Sequence, residues 1–188
     1  MLIRILAFLL ETFFFVLIGA ALLRAWMNGC RVNMRAQPGS FVMAVTDWLV
    51  KPLRRVLPKA WAQSRIDWAS VVAATLLAII YALVWALLFG VLAGTADLTA
   101  FGLTALLALL AFAVKMLVRV ALQTAMILVF GFAILSWVQP GSPAYSLLGR
   151  LTEPLLAPLR RVIPTIGGVD LSALALILIL QIALMVLA

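Results

Sequence analysis

Residues 46–58 read TDWLVKPLRRVLP, and residues 152–164 read TEPLLAPLRRVIP. Pro52-Leu53-Arg54-Arg55-Val56 recurs as Pro158-Leu159-Arg160-Arg161-Val162. Both segments open on a threonine followed by an acid, Thr46-Asp47 and Thr152-Glu153, and close on Pro58 and Pro164. Chance does not produce that match, so the chain carries a duplication. Working outward, Gln37-Pro38-Gly39-Ser40 matches Gln139-Pro140-Gly141-Ser142 after a shift of four residues. Glu11-Thr12, Gly19 and Trp26 have counterparts in Gln123-Thr124, Gly131 and Trp137, and Asp67 and Asp170 each precede an apolar run. The repeating unit is helix, basic amphipathic segment, helix. The first copy is expected over 1–97 and the second over 98–188.

The runs that flank these segments place the unit in lipid. The chain has 188 residues, of which 67% are hydrophobic and 11% charged, and its mean hydropathy is +1.26. Soluble proteins are about 45–50% apolar and about 25% charged. Four stretches approach the roughly 20 residues that a helix needs to cross a bilayer. They run from Ile5 to Leu23, from Trp68 to Ala93, through Val120 to Trp137, and from Leu171 to Ala188. The first is too long for a signal-peptide core and is interrupted by Glu11, so it reads as a retained helix. Leu98–Val114 is ambiguous. Either one long third helix starts near Leu98 and carries Lys115 and Arg119 partway along, or a shallow interfacial helix precedes the span; a separate fifth crossing is disfavoured by the loop charges. The fold class expected is an all-α integral membrane protein of about four transmembrane helices, in two parallel helix–amphipathic loop–helix repeats.

Of 14 basic residues, ten lie between the paired spans: Arg31, Arg35, Lys51, Arg54, Arg55, Lys59 and Arg65 in the first copy, Arg150, Arg160 and Arg161 in the second. The positive-inside rule then puts both basic loops in the cytoplasm and both termini outside. The formal charge of +8 is a matter of topology and anionic headgroups rather than of nucleic acid, and none is expected as a partner. The sequence has no histidine and a single cysteine, Cys30. That excludes a disulfide within the chain and a His/Cys zinc site. No metal and no cofactor is expected.

In the first amphipathic segment Phe41, Val42, Val45, Trp48, Leu49, Leu53, Val56 and Leu57 recur at helical spacing, opposite Asp47, Lys51, Arg54 and Arg55. In the second, Leu148, Leu151, Leu155, Leu159, Val162 and Ile163 oppose Arg150, Glu153, Arg160 and Arg161. Such a helix lies in the membrane interface. Pro52, Pro154 and Pro158 predict a kink or a split into two short pieces, and Ser40 and Ser142-Pro143 are plausible helix starts. Lys51, Arg54, Arg55, Arg160 and Arg161 are the candidate lipid- or partner-binding residues. Three readings of the Arg-Arg pairs stay open: anchoring to anionic lipid, a salt bridge to the acid seven residues earlier, and a docking surface for a membrane-protein partner or a second copy.

Glu11, Lys115 and Arg119 are charges inside apolar stretches, where a carboxylate faces a partner or a water-filled path. They form a candidate intramembrane network, read as an interhelical ion pair, as an ion or proton path, or with Glu11 simply protonated or near the interface. Gln123, Thr124 and Gln181 suit interhelical hydrogen bonds, and Asp67 and Asp170 suit N-caps. Cys30, near Arg31, is open to a lowered thiol pKa, against the reading of a lone cysteine as incidental.

TDWLVKPLRRVLP and TEPLLAPLRRVIPTIGGVDLS, with LLRAW at Leu22–Trp26 and LSWVQPGSP at Leu135–Pro143, resemble the YggT family of bacterial and plastid membrane proteins. The resemblance covers nearly the whole chain. The first copy departs from it, with Trp48 in place of the proline after the acid and AWAQSR in place of the Gly-Gly stretch. The resemblance implies a small polytopic protein of the bacterial inner membrane. It further implies an association with hyperosmotic-shock tolerance, with potassium or other ion uptake as one route. Among plastid and cyanobacterial relatives it implies links to cytochrome b6 haem maturation and to nucleoid or division-related organisation. It carries no catalytic residues. The residues themselves offer no nucleophile with a base, no paired carboxylates and no phosphate loop. The expected function is therefore a non-enzymatic membrane scaffold or assembly factor acting through the basic segments. The alternative is a subunit of an ion channel or transporter that uses Glu11 with Lys115 and Arg119.

Overall fold

A computed structural model describes residues 1–34, 38–56, 67–92, 102–161, 163 and 171–187. Among these the chain is all-helical, with α1 at Leu2–Gly29, α2 at Gly39–Val56, α3 at Trp68–Leu92, α4 at Leu103–Val138, α5 at Pro143–Arg160 and α6 at Leu171–Leu187. Three of them, α1, α3 and α4, are long and apolar enough to cross a bilayer, and α6 is a shorter apolar helix. Their surfaces follow from that solvent: Leu2, Phe8, Phe13, Ile127, Phe130, Leu178, Ile182 and Val186 are all exposed. An exterior this apolar is stable only against lipid tails.

Each half packs alike: α1, α2 and α3 touch one another, as do α4, α5 and α6, and the halves meet where α4 packs on α1 and α3. Glu11 approaches Arg119. A Cβ on Gly19 would meet Thr124 and Val120, and Met27 packs with Leu128. Residue numbers rise together on both helices, so α1 and α4 run parallel. Gly19 explains why they run so close: a Cβ there would stand 3.3 Å from the Thr124 hydroxyl, and small residues let membrane helices approach. The central core gathers Phe14, Ile18 and Ala21 from α1, Ala74, Leu77, Ala78 and Tyr81 from α3, and Ala113, Met116 and Val120 from α4.

The ambiguity before the third span resolves into one helix. α4 continues unbroken through Lys115 and Arg119 for 36 residues, about 54 Å at 1.5 Å per residue, well beyond a hydrocarbon core of about 30 Å. The amphipathic segments also stay whole. Helix α2 passes through Pro52 and α5 through Pro154 and Pro158, so the expected split into short pieces does not occur. The physical reason is position. All three prolines lie on the exposed side of their helices, where the carbonyl that loses its amide partner can be solvated. Ser142 caps α5 as expected, its Oγ accepting from the Tyr145 amide at 3.1 Å, with Pro143 opening the helix. Helix α2 begins at Gly39, one residue before the expected Ser40, and a Cβ on Gly39 would come within 2.7 Å of the Met34 backbone.

The buried stripe of α2 is Gly39, Val42, Thr46 and Val50, whereas Phe41, Trp48 and Val56 point away from the bundle. The helix thus has three faces rather than two: one on the protein, one apolar and outward, and one basic. In α5 the buried residues are Leu151, Thr152 and Leu156. Pro58, Pro164, Arg35, Lys59, Arg65 and Asp170, which figured in the sequence reading, lie outside the described residues, as does Val162.

Candidate functional site

The charged residues of the first half converge where α1, α2 and α3 meet. α1 runs on to Gly29, so Arg24 lies inside the helix rather than at its flank, and only 4% of it is exposed. A guanidinium there must find acceptors, because a buried unpaired charge is prohibitively costly. Helix α2 supplies them: Arg24 Nη1 donates to Thr46 Oγ1 and to Asp47 Oδ1, each at 2.8 Å. Thr46 Oγ1 in turn donates a hydrogen bond to the Val42 carbonyl at 2.7 Å. Lys51 Nζ, one turn along α2, reaches the other oxygen of Asp47 at 2.8 Å. The Lys51 ammonium, with Arg24 beside it, holds the Asp47 carboxyl below its ordinary value although partial burial opposes this.

Asp67 closes the arrangement from α3. Its carbonyl accepts the Ser70 and Val71 amides, so it sits at the head of α3 as expected of an N-cap. Its carboxylate, 6% exposed, has a further task. It accepts from Arg54 Nη2 at 2.5 Å and from Ser70 Oγ at 2.9 Å, with Arg24 Nε at 3.9 Å. Three cations and two carboxylates from three helices therefore form one network, and its Thr46 and Ser70 hydroxyls leave no buried side-chain polar atom unpaired among the described residues. Chemically it can pin α2 against the spanning pair. Its two hydroxyls, Thr46 and Ser70, are buried and spent on hydrogen bonds within it.

The second half is pinned differently. By the Trp26–Trp137 correspondence, the position of Arg24 is taken by Leu135. Thr152 is as buried as Thr46 and likewise bonds the carbonyl four residues back, that of Leu148, at 2.8 Å. Glu153, however, is exposed and pairs along its own helix with Arg160 at 2.6 Å. The Arg160 guanidinium stands 5.7 Å from the Phe132 ring centroid, and Phe132 stacks on Tyr145 at 5.1 Å. Trp26 adds a tie across the halves, its Nε1 donating to the Leu151 carbonyl at 2.9 Å.

Of the three readings of the Arg-Arg pairs, the salt bridge seven residues back therefore exists in the second copy only. In the first, Arg54 goes to Asp67 and Asp47 is taken by Arg24 and Lys51. The other arginine of each pair, Arg55 and Arg161, is exposed, with no carboxylate partner among the described residues.

Glu11 and Arg119 are brought together at 3.6 Å, with side chains 45% and 42% exposed. Lys115 is exposed one turn earlier on α4. Thr124 bonds the Val120 carbonyl in its own helix at 2.7 Å. Burial pushes the Cys30 thiol up rather than down, because the end of α1 packs it against apolar neighbours. Arg24 is the residue that sequence reasoning missed as part of a site; the signal was an arginine followed by further helix-compatible residues. Among the described residues no three His, Cys, Asp or Glu side chains group as metal ligands would.

A family model described as CCB3/YggT matches residues 1–88 and 111–188. An uncharacterized protein from the 3′ region of proC in Vibrio alginolyticus is 36% identical over 179 residues, covering 94% of this chain and 90% of the relative. The uncharacterized protein YggT of Escherichia coli is 35% identical over 182 residues, covering 94% and 86%. An uncharacterized protein of Haemophilus influenzae is 31% identical over 160 residues, covering 85% and 78%. No solved structure matches.

Proposed function

The chain belongs to the CCB3/YggT family, and from that premise we propose that it is a non-enzymatic scaffold or assembly factor of the bacterial cytoplasmic membrane, whose two amphipathic helices are docking platforms. The basic end faces the cytoplasm, by the asymmetry of lysine and arginine between the loops. One observation carries the reading. The Arg24 network fixes α2 to α1 and α3 by buried charge, while Arg55, and Arg161 on the second platform, stay exposed. A helix that only floated on headgroups would need no such buried fixation. The occupant is a partner with an acidic surface, and anionic lipid, at about 1 kcal/mol per basic residue, holds the platforms in place meanwhile. Tolerance of hyperosmotic shock is the process in which this role fits.

Replacing Arg55 and Arg161 by glutamine leaves the Arg24 network intact. The double variant should insert and fold like the parent and lose partners co-purified after cross-linking in cells. An unchanged set of cross-linked partners removes the docking reading.

One contact favours a second reading. Glu11 and Arg119 face each other between α1 and α4, and charges at membrane depth often mark ion pathways. In that case Glu11→Gln should change potassium flux into liposomes carrying the protein. Equal flux for parent, variant and empty vesicles leaves Glu11 as one half of an interhelical pair.

A further inference from the structure

Beyond the Gly19 crossing, toward the basic end, α1 and α4 leave a gap. It is a cleft of about 500 Å³ between the two halves, open rather than sealed, walled by Leu22 and Trp26 of α1, by Cys30 just past its end and by Ala121, Ala125 and Leu128 of α4. Val71 of α3 and Pro154-Leu155 of α5 complete it. The lining is almost wholly apolar. Water has too few hydrogen-bond partners in such a place, and left empty the walls would forfeit their dispersion contacts. In a protein surrounded by lipid, the apolar material at hand is an acyl chain.

Two exposed arginines adjoin the lining residues along the chain. Arg31 directly follows Cys30. Arg150 lies four residues before Pro154, hence on the same face of α5 and one turn nearer its start. Both are exposed, and neither has a carboxylate partner among the described residues. Arg31 also carries a conformational clue. Its φ is +53°, and the Val32 amide bonds the Met27 carbonyl while the Arg31 amide bonds that of Asn28. This is a helix-terminating Schellman turn, with Val32 and Met27 in the accompanying hydrophobic contact. The left-handed position of that turn normally holds glycine. A side chain kept in a strained backbone conformation points from the outlier toward a use.

We propose that this cleft is a specific site for an anionic diacyl phospholipid, with one acyl chain between the halves and the phosphate held by Arg31 and Arg150. Basic pockets between membrane helices on the cytoplasmic side take headgroups of this kind. The site is separate from the docking surface at Arg55 and Arg161, and either can stand without the other.

Native mass spectrometry of the detergent-solubilised full chain, titrated with phosphatidylglycerol or with phosphatidylcholine of the same acyl chains, tests it. The parent should retain one phosphatidylglycerol in preference to phosphatidylcholine by roughly fivefold per arginine. Arg31→Gln with Arg150→Gln should bring the two lipids level, and Ala125→Phe, which fills the cleft, should reduce both to background. Glycerol phosphate without acyl chains should not compete. Equal retention of the two lipids by the parent overturns the proposal, as does competition by glycerol phosphate or a dimer of the chain in place of the lipid adduct. Should Ala125→Phe fail to fold, the paired arginine variants decide the matter alone.

Discussion

Arg24 shows how one residue decides where an element lies. Its guanidinium is buried and spends its hydrogen bonds on Thr46 and Asp47 of another helix. Removing one member of a buried ion network leaves its partners uncompensated, at about 3–5 kcal/mol. Arg24→Ala should therefore lower stability by about that much in detergent unfolding; a loss under about 1 kcal/mol would mean that Asp47 and Asp67 are satisfied without it. Asp47 sets an acid limit. Its carboxyl is held below the ordinary value by Lys51 and Arg24, so its contribution is complete above the unfolded pKa of about 3.9 and is lost as pH falls through the lower, folded value. Trp48 fluorescence should hold steady from neutrality to about pH 4 and then change as α2 loosens, a step that Asp47→Asn should lack. Sequence alone gave Arg24 no acceptor, because Asp47 and Asp67 stand 23 and 43 residues away and only the folding of α2 between α1 and α3 brings them near.

At the scale of elements, apolar runs and helix signals were legible and continuity was not. Ser142-Pro143 announced α5 because the cap acts within three residues. The prolines misled because their effect depends on which side of the helix they occupy, and that side is set by contacts far along the chain. Gly39 illustrates the same dependence: its small size matters only because Met34 lies against it. Gly39→Ala should cost about 1–3 kcal/mol through that collision, measurable as easier proteolysis next to Met34, whereas Gly29→Ala, with nothing near its Cβ, should be silent there. For α4, Val118 is exposed beside Arg119. Val118→Pro removes little packing yet breaks a continuous helix, at about 3 kcal/mol or more. Thermal stability barely altered by it would favour two helices joined near that point.

For the whole molecule, the duplicated PLRRV segment made the paired architecture readable from the chain alone, since both copies bracket a basic helix between apolar ones. The way the halves join was hidden, because it rests on a glycine, a tryptophan and a change of chemistry between the copies. Gly19→Leu should force α1 from α4 and uncouple the halves, at about 1–3 kcal/mol, seen as a split unfolding transition in place of one. The same crossing governs Glu11 and Arg119, so their separation should widen together with it. Trp26 and Arg24 lie two residues apart on α1; one holds α5 by the Leu151 carbonyl and the other holds α2 by Asp47. Helix α1 is thus a common axle for both amphipathic helices. A tilt of either amphipathic helix therefore pulls on α1 through one of these bonds, so a load placed on α2 is expected to reach α5 along a single shared helix.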